Sequence, residues 1–272
     1  MWWLLKFSIV LQCVSSVQII NMRVPDIIQY GTKDKVTLDC DYVTSNVTGL
    51  VVKWFYMDRS TSIYQWIPPQ KPQALGMFKD KLDLTYKVSH NPYTQHRALR
   101  IIKLDPELTG NYTCVISTFL AEDEKTKPMT IFVPERKFDM IQDRLDEDYL
   151  NIICAVEGVY PKPELNILVG NRLLIDTKSS INLIDGRYTA LTTAVVNVNS
   201  LPTTVELLCE MQVPLANYYS KKRDLFYRDP PTTTPESPNS APAQSDDGYR
   251  IVSRSQLILL LLFIQRVRLR NT

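Results

Sequence analysis

Two cysteines with a tryptophan and a tyrosine between them constrain the fold of this chain more than any other feature. Cys40 and Cys114 lie 74 residues apart, Trp54 stands in an apolar run after the first, and Tyr112 precedes the second. In a sandwich of two β-sheets, a disulfide at this spacing joins the sheets, the indole packs against it, and the tyrosine hydrogen-bonds back to the chain. Closing such a loop contributes about 4 kcal/mol in the chain-entropy model.

The pattern predicts an all-β chain that begins with an immunoglobulin sandwich. A second aromatic run, Ile63 to Ile67, follows the strand that carries Trp54, and the last strand of this region is expected at Met129 to Val133. An extra hairpin after the tryptophan strand distinguishes the longer, variable type of immunoglobulin domain from the constant type. We therefore predict a variable-type domain.

A second pair of cysteines predicts a smaller sandwich of the same kind. Cys154 and Cys209 lie 55 residues apart, which is the shorter spacing of constant-like domains. Ile167 or Leu168 stands where such domains usually carry a tryptophan, and Leu207 replaces the tyrosine. We expect a degenerate constant-like domain with a thinner core, because an indole contributes more buried area than an aliphatic side chain.

The two ends of the chain carry segments that belong to neither sandwich. Residues 1–16 have one lysine, an apolar centre and small residues near the end, which is typical of a secretory signal peptide. Residues 229–256 form a predicted stalk and polar spacer, rich in proline, serine and threonine. The variable-type domain is then expected at residues 17–134 and the constant-like domain at residues 135–228.

The cysteine count agrees with this organisation. Removal of the signal peptide removes Cys13 and leaves four cysteines. Four cysteines allow three pairings, of which sandwich geometry favours Cys40 with Cys114 and Cys154 with Cys209. Two disulfides indicate an oxidising, extracellular setting.

The C-terminal tail, residues 257–272, predicts a membrane tether of an unusual kind. Its apolar part, residues 257–264, gives about 12 Å of helix against a hydrocarbon core of about 30 Å. Small residues at 245–248, a polar spacer and an apolar tail resemble a GPI-attachment signal, although the tail is short and ends with basic residues. An atypical membrane-bound tail and simple secretion are the alternatives.

No residue pattern in the chain predicts catalysis or a cofactor. His90 and His96 are the only histidines, and neither accompanies a nucleophile motif or a set of metal ligands. The 31 basic and 29 acidic residues give a net charge of +2, which does not favour a nucleic-acid partner. We expect no enzyme activity, no cofactor and no bound metal.

Two sequons predict N-linked glycans, at Asn46 in the loop after the first cysteine strand and at Asn111 beside Tyr112. The partner-binding surface is expected on the sheet that contains Trp54. If Trp54 points inward, Phe55 points outward. On the next strand, either Tyr64 and Trp66 or the alternating set Ile63, Gln65 and Ile67 points outward.

We predict that Phe55, Tyr64 and Trp66 anchor a protein partner, since exposed aromatic groups on one sheet are typical of interface centres. The alternative is that the following loop, residues 68–72, or the second domain covers some of these side chains.

Several motifs of the first domain resemble the beaten path family of insect immunoglobulin proteins. They are Met22 to Pro25, Leu38 to Tyr42, Val52 to Trp54, Ile63 to Pro68 and Thr109 to Cys114. The resemblance implies neuronal cell-surface recognition, in which the first domain binds sidestep-type immunoglobulin receptors and modulates axon adhesion and guidance. The second domain looks more like the constant-like domains of B7-type ligands.

Together these features predict a cell-surface recognition or adhesion protein that binds another cell-surface protein, such as an immunoglobulin-superfamily receptor, through its first domain. The alternative is a soluble secreted binder, acting as an antagonist or an immune recognition factor. It needs the same sandwich but no anchor.

Overall fold

The computed structural model describes residues 17–229. The predicted signal peptide, the stalk from residue 230 onward and the C-terminal tail lie outside the described residues. Within them, apolar and polar side chains alternate along most strands, so that one side of each sheet is buried.

The first half of the described chain consists of nine strands in two sheets. These strands are β1 (Val17–Arg23), β2 (Ile27–Gln29), β3 (Val36–Thr44), β4 (Val51–Tyr56), β5 (Ser62–Trp66), β6 (Gln73–Ala74), β7 (Leu99–Ile101), β8 (Gly110–Ser117) and β9 (Glu122–Phe132). One sheet has the order β1-β3-β7 and the other β2-β9-β8-β4-β5-β6. Neighbouring strands are antiparallel except β2 and β9. Short 3₁₀ helices occupy Gly76–Phe78 and Pro106–Leu108.

The core of this first sandwich is centred on one disulfide. Cys40 on β3 is bonded to Cys114 on β8, so the bond joins the two sheets. Trp54 is fully buried, and its indole N–H donates to a backbone carbonyl 3.1 Å away. The buried Tyr112 hydroxyl donates to the carbonyl oxygen of Leu108 at 2.7 Å, which fixes the chain at the corner before β8.

The second half consists of eight strands in two four-stranded sheets. These strands are β10 (Lys137–Arg144), β11 (Tyr149–Val159), β12 (Glu164–Val169), β13 (Arg172–Leu173), β14 (Lys178–Ile184), β15 (Arg187–Asn197), β16 (Thr204–Val213) and β17 (Tyr218–Tyr227). The sheet orders are β10-β11-β15-β14 and β13-β12-β16-β17. The Cys154–Cys209 disulfide joins β11 to β16. Two 3₁₀ helices lie at Val198–Ser200 and Pro214–Ala216.

Ile167 occupies the tryptophan position of this second sandwich. It lies directly opposite Cys209 on the neighbouring strand, as Trp54 lies opposite Cys114 in the first sandwich. Both side chains are fully buried. Leu168 is on the other side of its strand and is partly exposed, so of the two candidates only Ile167 belongs to the core.

The two sandwiches meet at the end of β9. Val133 and Tyr160 exchange two backbone hydrogen bonds of 2.8 and 3.0 Å. Phe132 is part of the second buried cluster, and its ring centroid lies 5.2 Å from that of Tyr218. Residues 17–229 therefore belong to one compact unit with two separate buried clusters. The division into two domains after residue 134 stays a prediction.

The prediction of an all-β chain is confirmed for residues 17–229, where the regular elements other than strands are the short 3₁₀ helices. None of the helices in this range has the length and apolar character needed to cross a bilayer.

We expect Tyr112→Phe to lower the free energy of unfolding by about 1–3 kcal/mol, because it removes the hydroxyl that donates to the buried carbonyl oxygen of Leu108. Denaturant titration measures the change. Tyr219→Phe is the matched control: its hydroxyl is hydrogen-bonded to Gln212, but the residue is 52% exposed, so a change within about 0.5 kcal/mol is expected. Equal losses in both variants would contradict the role of the corner.

Candidate interaction site

Phe55, Tyr64 and Trp66, the predicted partner anchors, are buried. Their exposed fractions are 8%, 3% and 0%. The strand register explains this for two of them: Tyr64 lies opposite Trp54, and Trp66 lies opposite Val52. Directly opposite residues of an antiparallel pair point to the same face of the sheet. Tyr64 and Trp66 therefore share the inward direction of Trp54, and the prediction that they face a partner is wrong.

The polar ends of both side chains are satisfied inside the protein. The Tyr64 hydroxyl donates to the carbonyl oxygen of His96 at 2.7 Å, and the Trp66 indole N–H donates to that of Gln70 at 3.0 Å. Burial raises the pKa of Tyr64 well above its ordinary value. Gln70 belongs to loop 68–72, the segment that the alternative interpretation expected to cover this strand.

Phe55 has the predicted outward direction but is covered. It is absent from the first buried cluster, which contains its neighbours Trp54 and Tyr56. The guanidinium of Arg59 lies 5.5 Å from the centre of the Phe55 ring. Ion pairs with Glu122, at 3.1 Å, and with Glu124 hold this guanidinium in place. Phe55 is therefore not an accessible anchor in this structure.

His96 closes the pocket around Trp66. Its ring meets the indole edge-on with the centroids 5.4 Å apart, and its Nδ1 lies 2.9 Å from the carbonyl oxygen of Tyr86. Burial lowers the pKa of His96; the Tyr86 carbonyl opposes this shift, and the charge of Lys87 adds to it. The fold therefore favours the neutral imidazole.

We expect the free energy of unfolding to decrease as the pH falls below about 6.5, the ordinary pKa of histidine. Between this pH and the lowered pKa of His96 in the folded state, the unfolded chain binds a proton at His96 that the folded chain does not bind. The free energy of unfolding therefore decreases over this pH range. Thermal unfolding between pH 7.5 and 5.5 measures this slope. His96→Gln should flatten it, whereas His90→Gln, at an exposed position, should not. A slope that persists in His96→Gln would assign the effect to other groups.

Phe119 and Leu120 are exposed apolar neighbours at the end of the first sandwich. Their exposed fractions are 79% and 66%. They stand at the centre of the four-residue turn between β8 and β9, which is closed by a 2.8 Å hydrogen bond from the Thr118 N–H to the carbonyl oxygen of Ala121. Such a tight turn holds its central side chains away from the sheets, so both remain available to a partner.

The loop between β3 and β4 supports this turn. The N–H of Phe119 donates to the carbonyl oxygen of Thr48 at 3.2 Å. The ring of Phe119 lies over Gly49, where φ is +70° and a methyl group would come within 2.3 Å of the ring. Val47, in the same loop, is 38% exposed. We call Val47, Phe119 and Leu120 the apolar tip.

The sequence does not predict the apolar tip, because the start of the last strand differs from expectation. The apolar run predicts this strand at Met129 to Val133, whereas β9 begins at Glu122. Residues 122–128 are almost all polar, so their strand has no apolar alternation to reveal it. The usable signal was the Phe119-Leu120 pair itself, set between a strand and a run of charged residues.

Of the two predicted glycan sites, only Asn46 lies next to the apolar tip. Asn46 is in the same loop as Val47, and its side-chain oxygen accepts from the N–H of Thr48 at 2.8 Å. Asn111 is exposed at the start of β8, the end of this strand remote from Phe119. Glycosylation of either residue stays a prediction. A glycan on Asn46 would border the apolar tip, whereas one on Asn111 would leave it free.

Two further features of residues 17–229 bear on chemistry. Among these residues, no group of three or more His, Cys, Asp or Glu side chains is placed to hold a metal ion.

A groove of about 510 Å³ opens at the end of the second sandwich, lined chiefly by Val169, Leu173, Leu174, Ile175, Val195 and Val205. Its lining is mainly aliphatic, so it is an apolar surface rather than a cluster of reactive groups.

Comparison with known proteins identifies the fold. No protein-family model and no curated protein sequence matches the chain. The crystal structure of bovine butyrophilin is similar with a TM-score of 0.57 and 14% identity, over 74% of this chain and 94% of that one. A chain in the crystal structure of ICOS in complex with ICOS-L and an anti ICOS-L VNAR domain has a TM-score of 0.51 and 14% identity, over 74% and 99%.

These likenesses confirm the immunoglobulin-like fold, and the two disulfides fit an extracellular location. They lend no support to the closer resemblance to the beaten path family, which stays a prediction.

Proposed function

We propose that this protein is an extracellular recognition protein that binds another cell-surface protein through the apolar tip. The exposure of Phe119 and Leu120 carries the proposal. Exposed apolar surface costs about 25 cal/mol per Å², a free energy that a partner recovers when it covers both side chains. Aromatic side chains in particular dominate the centres of protein interfaces.

The apolar tip is also held in one arrangement before any partner binds. The turn is closed by the Thr118 to Ala121 hydrogen bond, tied to the neighbouring loop through Thr48, and packed over Gly49. A side chain that is already ordered loses less conformational entropy on binding, which raises the affinity obtained from a given contact.

The partner class that we propose is another immunoglobulin-type surface protein. One structural neighbour comes from a complex of ICOS with ICOS-L, which is a case of protein–protein recognition on a related fold. The motifs shared with the beaten path family extend the proposal to neuronal adhesion and axon guidance. Recognition of this kind requires no catalysis, cofactor or nucleic acid.

We expect the double variant Phe119→Ala and Leu120→Ala to weaken partner binding at least tenfold, because truncation of a central anchor costs about 2 kcal/mol or more. Cells that display the full chain are mixed with cells that each display one immunoglobulin-type surface protein, and cell pairs are counted. Gly49→Ala should also reduce pairing, since its new methyl group displaces the Phe119 ring.

Leu215→Ala is the matched control for this experiment. Leu215 is 66% exposed, the same fraction as Leu120, but it lies in the second sandwich after β16. Its replacement should leave pairing unchanged. If the tip variant reaches the surface in normal amounts and pairs as the unaltered chain does, the proposed binding site is wrong.

We further propose that the C-terminal tail tethers the protein through a GPI anchor, with a soluble secreted binder as the alternative. Treatment of intact cells with a phosphatidylinositol-specific phospholipase should release the protein into the medium. Protein already present in the medium before treatment would favour the secreted form. Retention after treatment would mean that the tail itself holds the protein to the membrane.

A further inference from the structure

The second sandwich has two outer sheet faces, and both combine charged and apolar side chains. On the sheet β13-β12-β16-β17, outward charged side chains form ion pairs across neighbouring strands. Lys221 and Glu210 are 2.7 Å apart, and Arg223 and Glu206 are 3.8 Å apart. Leucines also lie on this side, but among the charged residues: Leu208 is opposite Arg223, and Leu225 is opposite Glu206.

The opposite outer face, on the sheet β10-β11-β15-β14, has an apolar centre. The pairing registers place one set of aliphatic side chains together on this side: Ile141, Ile153, Ala155, Leu191 and Val195. Ile141 lies directly opposite Ile153, and Leu191 lies opposite Ala155. Val195 is 56% exposed and the others are partly exposed. We call this set the apolar face.

The core of the sandwich does not account for these residues. Inward positions of β11 already fill the buried cluster with Leu150, Ile152, Cys154 and Val156. Ile153, between them in sequence, points away from that cluster. Aliphatic side chains at several adjacent outward positions therefore indicate a surface that another molecule covers.

The apolar face continues beyond the sheet. Val195 also lines the groove of about 510 Å³ at the end of the sandwich, whose rim includes Ile175 with 91% exposure. Four strands about 4.8 Å apart and about eight residues long give a face of about 19 Å by about 27 Å. Two such faces together bury on the order of 1,000 Å², near the lower limit of specific protein interfaces.

Charges at the two edges of the face favour a second copy of this chain. Asp139 and Asp143 stand on the edge strand β10, on either side of Ile141, and Asp139 is also ion-paired with Lys137 of the same strand at 2.7 Å. Lys178 stands on the opposite edge strand β14, in the same cross-strand row as Ile141 and Ile153. A two-fold axis parallel to the strands places β10 of one copy over β14 of the other, which brings each Lys178 between the two aspartates of its mate.

We propose that two copies of this chain associate side by side through the apolar face, with their strands parallel. In this arrangement both chains leave the second sandwich in the same direction, as two molecules on one membrane do. The proposal does not rest on partner binding at the apolar tip.

The test uses energy transfer between two full-length copies with different fluorescent proteins inserted after residue 16, expressed in the same cells. Val195→Glu should reduce the transfer at least tenfold at equal surface level. Leu225→Glu, on the ion-paired face and at 49% exposure, should leave it unchanged. Absence of transfer between unaltered copies, or equal effects of the two variants, would overturn the proposal.

A charge exchange between half-buried Asp143 and exposed Lys178 tests the orientation. Asp143→Lys alone should lower the transfer, and its combination with Lys178→Asp should restore it. Failure of the combination to restore transfer would overturn the parallel arrangement. The double variant Phe119→Ala and Leu120→Ala should keep full transfer, so that loss of partner binding and loss of self-association remain distinguishable.

Discussion

The first sandwich depends on the contact between its two sheets at the Cys40–Cys114 disulfide. Trp54 lies directly opposite Cys114, so the position of the indole fixes which side of β4 faces the core. The register of β5 against β4 then assigns the inward face to Tyr64 and Trp66. One covalent bond and one buried ring thus determine which aromatic side chains a partner can reach.

The dependence of side-chain direction on strand register explains why the fold is predictable from the sequence, whereas the direction of Tyr64 is not. Cysteine spacing and the apolar runs around Trp54 are local features, and they led to the correct fold and to Ile167 as one of two candidates for the second core. The direction of Tyr64 is set by its register with another strand. The pairing of β5 with β4 is also irregular, because Ile63 lies between the pairs Trp54–Tyr64 and Phe55–Ser62, and Ile63 and Tyr64 both belong to the same buried cluster. A simple inward and outward alternation therefore fails on this strand.

The ion pairs around Asp39 also depend on residues that are far apart in the sequence. Asp39 is 4% exposed, and its carboxylate accepts from Arg97, with Nε 2.9 Å from Oδ1, and from Arg23. The two arginines lie 58 residues after and 16 residues before it in sequence. A carboxylate buried without its cations would destabilise the fold strongly, so these three residues function as a unit. Nothing in the local sequence of any one of them identifies the other two.

Two groups of apolar residues outside the cores lie at separate places. The apolar tip lies in loops of the first sandwich, and the apolar face lies on one sheet of the second. A second copy on the apolar face leaves Phe119 and Leu120 uncovered, so self-association on one membrane and recognition of a partner do not compete. Two tips held together bind two partner molecules with a higher effective concentration than separate chains. A modest contact at each tip can then give stable adhesion between cells.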